Sequence, residues 1–156
     1  MRIECKRDPE KPYIMVWVRL ECKELFIRGN TEFAIDTGSP ATILSYNQGR
    51  KLGVALAKLR SLPRPVRVGG VTADAYILPN VNLLFRTTDR DKLFAHTMDK
   101  ILILGPSHTH ADLPVPGILG MDFLEDFTFA LFSRQRGGRI FITDEDPTVW
   151  KSHKPV

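Results

Sequence analysis

Cysteine is scarce in this chain, with only Cys5 and Cys22 among 156 residues. Two thiols cannot build the disulfide framework that small secreted domains rely on, so a reduced, cytoplasmic setting is expected. Neither thiol lies beside a motif that would make it a Cys-His nucleophile. Long apolar runs are missing as well, and the opening residues Met1-Arg2-Ile3-Glu4-Cys5-Lys6 are charged. Neither a secretory leader nor a membrane-spanning helix, and hence no membrane partner, is expected from that pattern. No internal repeat is visible. The formal charge of +4 is modest, and Arg134, Arg136 and Arg139 gather around glycines without interleaved aromatics. Nucleic acid is therefore not an expected partner. A chain of this length can bury one core, and is too short for two full domains.

What is present centres on Phe33-Ala34-Ile35-Asp36-Thr37-Gly38-Ser39-Pro40-Ala41-Thr42-Ile43-Leu44. An apolar strand runs into a carboxylate, turns, and leaves as a second apolar run. A charge in such surroundings needs donors, a partner or a proton, because desolvating it alone is costly. Thr37 offers a hydroxyl, and Gly38 allows the backbone to approach closely enough to aim amides at Asp36. Asp, Gly and Ser are also turn formers, so the tripeptide alone reads equally well as an ordinary β-turn.

Two later stretches narrow the choice. Val66-Arg67-Val68-Gly69-Gly70-Val71, followed by Thr72-Ala73-Asp74-Ala75-Tyr76-Ile77-Leu78, has the pattern of a hairpin with Gly-Gly at its tip. Gly117-Ile118-Leu119-Gly120-Met121-Asp122-Phe123-Leu124 is an apolar strand between glycines that feeds a short helical pattern. In this order the three pieces resemble the retropepsin-like, or retroviral-type, aspartic proteases, closest to their cellular single-domain members. The resemblance spans roughly residues 13–143.

That resemblance implies an all-β fold with one or two short helices, one closed-barrel, double-psi-like acid-protease lobe per chain. It implies Asp36 as the catalytic carboxylate, with Thr37, Gly38 and Ser39 supporting its loop and Thr37 linking two such loops. Val68, Gly69, Gly70 and Val71 would form a flap over an extended peptide or protein substrate. Ser39 would donate to the outer oxygen of Asp36 and favour its ionised form. No cofactor and no metal are implied. Only one Asp-Thr-Gly motif is present, so the second carboxylate of an acid pair must come from another copy, and a homodimer is expected. The alternative is a non-catalytic peptide- or protein-binding dimeric domain that keeps the fold.

Along the chain, residues 1–12 read as a polar N-terminal arm and 144–156 as a loose tail anchored by Trp150. Tyr13–Leu20 reads as a strand apolar on both faces. Glu24–Arg28 reads as a short strand, Gly29-Asn30 as a turn and Glu32–Ile35 as the strand delivering Asp36. Ser45 caps a helix over Tyr46–Leu52 that Gly53 stops. Arg86–Asp99 reads as a loop, Lys100–Leu104 as a buried strand, and Met121–Asp126 as a short helix. Phe127–Phe132 and Arg139–Thr143 read as a closing hairpin turned by Gly137-Gly138. His108, His110 and Asp112 are metal-competent residue types, but their spacing on a Pro-flanked loop fits a cleft wall better.

Overall fold

The computed structural model describes residues 1–89, 92–127, 129–132 and 140–145, the backbone alone for 129–132. Among the described residues eleven strands form one continuous sheet. In chain order they are β1 (Arg2–Arg7), β2 (Ile14–Cys22), β3 (Ile27–Ile35), β4 (Ile43–Leu44), β5 (Arg60–Ser61) and β6 (Val66–Val68). There follow β7 (Val71–Arg86), β8 (Leu93–Ser107), β9 (Gly117–Leu119), β10 (Phe129–Phe132) and β11 (Ile140–Thr143). The helices are α1 (Tyr46–Lys51) and α2 (Met121–Leu124). The mainly-β expectation holds.

Strand β2 closes the sheet into a barrel because it changes partner along one edge. Its first half pairs with β1, Cys5 opposite Val16, and its second half with β7, Val18 opposite Phe85. The other edge pairs throughout with β3. Strands β2, β3, β9, β4, β8 and β7 thus form a ring that returns to β2. Val16, Val18, Leu20 and Cys22 point inward at 0% exposure and meet Phe33, Leu83, Phe85, Ile103 and Phe123. Each such large side chain removed from water contributes roughly 1.5–3 kcal/mol. Trp17, on the outer face of β2, is covered by the Arg86 guanidinium 4.2 Å from its ring.

Three sequence expectations are corrected. The arm over residues 1–12 is strand β1 from Arg2 to Arg7, paired with β2 and β11. Ile3 and Cys5 face the core while Arg2, Glu4 and Lys6 alternate outward, so a half-buried strand read as a polar segment. The Arg86–Asp99 loop is largely the first half of β8, paired with β7 from Arg86 opposite Leu93 onward. Phe94, His96 and Met98 are its inward set, and His96 lies in an aromatic cluster with Phe94, Phe123 and Phe127. Counting that histidine as polar hid the alternation. The third correction concerns Gly29-Asn30, which is no turn, since β3 runs unbroken and pairs Gly29 with Leu20. The chain reverses earlier, through a 3-10 turn at Lys23–Leu25 and Phe26 in the left-handed region, so the short strand expected over Glu24–Arg28 is this turn and the start of β3. Gly29 instead admits Leu52, whose Cδ2 would stand 2.4 Å from a β-carbon there.

Other readings stand with shifted ends. Ser45 caps α1, its Oγ accepting from Gln48 N at 3.1 Å, and Gly53 takes φ +77 after the helix. Strands β10 and β11 pair as a closing hairpin beside β1. Its expected turn at Gly137-Gly138, the arginines 134, 136 and 139, and the Trp150 anchor lie outside the described residues. Among the described residues no helix is long and apolar enough to cross a membrane.

Candidate active site

Asp36 follows the last residue of β3, and the barrel fixes that end from both sides. Strand β9 lies between β3 and β4, parallel to the first, with Ile35 opposite Leu119, and antiparallel to the second. Asp36 N–H extends the ladder by donating to the Leu119 carbonyl at 3.1 Å. The chain between β3 and β4 must therefore loop around the end of β9. A turn closes it, Ser39 N–H donating to the Asp36 carbonyl at 3.2 Å. Gly38 N–H points back and donates to Asp36 Oδ1 at 2.8 Å. A β-carbon at Gly38 would sit 3.1 Å from that same oxygen, which is the close approach for which glycine suits this position. Asp36 is half-buried, while Thr37 and Gly38 are exposed on the surface of the chain.

Ser39 does not act as the sequence suggests. It is 4% exposed, and its Oγ donates to the Ala41 carbonyl at 2.7 Å. The backbone bends at Pro40 and brings that acceptor within reach. Its proton therefore braces the loop against itself and is not given to Asp36, and the argument that this serine favours the ionised acid falls with it.

Helix α2 locks the loop from beneath. The first N–H groups of a helix have no partner inside it. Here Met121 N–H donates to Ser39 O at 2.8 Å and Asp122 N–H to Pro40 O at 3.2 Å. The Asp122 carboxylate accepts from Thr42 N at 3.0 Å and from Thr42 Oγ1 at 2.7 Å, and Thr42 Oγ1 accepts from Gly120 N at 3.1 Å. A β-carbon on Gly120 would lie 2.4 Å from the Ala41 carbonyl oxygen. Thr42, Gly120 and Asp122 thus hold the Asp36 loop, a role their sequence positions do not announce. Asp122 falls within the quoted glycine-flanked motif, but its partner is eighty positions away.

The hairpin lies between β6 and β7. Val68 pairs with Val71, and Gly69 and Gly70 between them have φ +55 and +78. Two consecutive positive values make a two-residue type I′ turn, whose twist matches the flanking strands. Val71 and Ala73 are buried on one face of the hairpin, in an apolar cluster with Ala34, Ile43, Leu113, Val115 and Ile118. Val66 and Val68 pack against the same cluster. Ala34 and Ile118 flank the strand end that carries Asp36, so the hairpin underside and the acid loop share one apolar floor.

The histidine loop is not arranged as a metal centre. Asp112 Oδ1 accepts from Tyr46 N at 3.2 Å and Leu113 N at 2.8 Å, and Oδ2 accepts from Asn47 N at 2.9 Å. His108 Nε2 stands 3.8 Å from Asp74 Oδ1. Among the described residues no group of three histidine, cysteine or acidic side chains is placed to hold a metal ion.

Comparison with protein-family models and with curated proteins found no match to the sequence. Among solved structures, the chain is similar to a retropepsin-like aspartic protease from Rickettsia conorii, with TM-score 0.55 and 18% identity. The superposition covers 91% of this chain and 88% of that one. A barrel closed through β2, an Asp-Thr-Gly loop wrapped around the end of β9, a glycine-tipped hairpin and a short helix under the loop therefore occur together in a chain of that overall fold. The chain has the retropepsin-like aspartic protease fold.

Proposed function

We propose that this protein is an aspartic endopeptidase that works as a homodimer, with one Asp36 from each subunit. The observation that carries the reading is Asp36 itself. It is a half-buried carboxylate fixed by the Gly38 amide on a braced loop, beside residues 37 and 38 at the chain surface. A two-fold pairing of that surface would bring two carboxylates together, with Thr37 at the junction. Like charges at such short range do not both ionise readily, so the pair shares one proton. The ionised member accepts a proton from a water held between them as the water oxygen bonds to the scissile carbonyl carbon, and the protonated member donates its proton to the carbonyl oxygen. The product of that step is a tetrahedral intermediate with no covalent link to the protein. No cofactor enters the scheme.

The substrate in this reading is an extended peptide, bound by its main chain and by alternating side chains. The hairpin from Arg67 to Thr72 is its lid, excluding water from the reacting bond. The test is hydrolysis of a broad peptide library by the wild type and by Asp36→Asn. The amide can neither accept the proton from water nor hold the shared one, so the variant is expected to dimerise and lose activity. Unchanged cleavage by Asp36→Asn removes Asp36 from the mechanism. If neither form cuts and both bind peptide, the domain is a binding module.

A further inference from the structure

The proposed lid is not a free-standing hairpin. Beyond its core-spanning part, β8 continues to Ser107, which pairs with Ala73 on β7. His108 N–H then donates to the Thr72 carbonyl at 2.9 Å. The outer edge of the lid's second strand is thus stitched to the start of the 107–116 segment. At the tip, the Leu113 Cδ2 would be 3.1 Å from a β-carbon on Gly69, and Leu113 is only 7% exposed. One segment therefore touches the lid twice, by backbone near its base and by an apolar side chain at its turn.

The same segment is tied to the body of the barrel. Asp112 takes three backbone N–H groups, two of them from the first turn of α1 and the third from Leu113. Ser45 N–H donates to the Pro116 carbonyl at 2.9 Å, and Lys11 Nζ to the Pro114 carbonyl at 3.1 Å. Asp112 is next to Leu113 in the chain, so the anchor and the contact with the lid tip move together. A charged acceptor is roughly twice as strong as a neutral one, and three donors use most of its capacity.

We infer that the 107–116 segment is a strap that holds the lid of its own subunit against the barrel, with Asp112 as the positioning residue that fixes Leu113 beneath the lid tip. The inference rests on reading the hairpin as the lid of the proposed peptidase site. With the strap in place, the closed arrangement is held by contacts within one chain and is favoured before substrate arrives. Releasing Asp112 frees Leu113, lets the hairpin open more often, and lowers the share of molecules ready to hold a peptide. That loss falls on binding and not on the chemical step.

The experiment is hydrogen exchange on the full chain for wild type, Asp112→Asn and Asp112→Ala. It is read at segments covering Val66–Ala73 and, as reference, at the barrel segments around Leu83 and Ile101. Asp112→Ala is expected to speed exchange in the hairpin by about tenfold and leave the reference unchanged. Asp112→Asn keeps an acceptor for Tyr46 and Leu113 but sets an NH2 group against Asn47 N–H, so its effect is intermediate. On a cleaved peptide, KM is expected to rise by about three- to tenfold with kcat changed less than twofold. Unchanged hairpin exchange overturns the strap. Parallel acceleration at the reference segments also overturns it, by making Asp112 a residue of general stability. If Asp112→Ala does not fold, the Asn variant is judged by the same comparison. Exchange needs no activity, so a failed peptidase reading leaves the strap still decided.

Discussion

A single methyl group at Gly120 would meet backbone and not a side chain that can turn aside. The β-carbon would lie 2.4 Å from Ala41 O, 2.5 Å from Ala41 C and 2.9 Å from Ser39 O. Gly120→Ala is expected to cost about 2–3 kcal/mol in urea denaturation, because overpacking against fixed backbone forces the loop to shift. Cys5 presents a different case. Burial pushes its thiol up to about 12, so at pH 8 it stays protonated and is a poor nucleophile. Alkylation of the native protein at that pH is expected to leave Cys5 unmodified until denaturant is added, as read by intact mass. Labelling of Cys5 at the rate of a free thiol would contradict its burial. At this scale, sequence disclosed what is local. Asp36 and Gly38 are two residues apart, and their contact follows from the turn. The Ser39 proton was misassigned because a hydroxyl has several acceptors in range, and only the bend at Pro40 selects Ala41. The pairing of Asp122 with Thr42 depends on the whole barrel, and no local pattern encodes it.

Elements with their own punctuation were legible, and those defined by their neighbours were not. Helix α1 begins at a serine cap and is followed by a glycine with positive φ, and both signals are local. The Gly69-Gly70 turn is equally self-contained. Replacing both glycines by Val is expected to impair turnover more than folding, since neither positive φ suits a β-branched residue. Equal turnover and equal hairpin exchange in that variant would place the lid elsewhere. Strand β1 was hidden because only alternate residues face the core, and its two inward residues are too few to signal a strand without β11 and β2 beside them. A side-chain contact extends its pairing with β11. Arg2 donates to Glu145 at 2.9 Å from Nη2 and 3.1 Å from Nε, and these bonds hold that carboxyl below its ordinary range. A depressed carboxylate stabilises the fold above its ordinary range, and the benefit is lost as pH falls through the lowered value. Glu145 is about a third exposed, so the effect is small. Wild type is expected to exceed Glu145→Gln in Tm by on the order of 1 °C near neutral pH, with the gap closing in acid. A gap that widens in acid would reverse the assignment.

At the scale of the molecule, one Asp-Thr-Gly loop in 156 residues is the fact around which the functional account turns. The chain supplies one carboxylate on a loop clamped by α2, Thr42 and Asp122, and exposes residues 37 and 38 beside it. The fold class was readable because the three marker stretches keep their order. The closed barrel followed from the resemblance, but which strand closes it did not, since that depends on β2 changing partner from β1 to β7 midway. The direct test of the paired-carboxylate claim is subunit mixing. Wild type and Asp36→Asn are combined in equal amounts, allowed to exchange subunits, and assayed on one cleaved peptide at constant total protein. If each active site needs two Asp36 residues, random pairing leaves about one quarter of the dimers active, and activity falls to about a quarter of the unmixed wild type. Activity at about one half, in proportion to the wild-type chain present, would mean that each chain acts alone and would contradict the account.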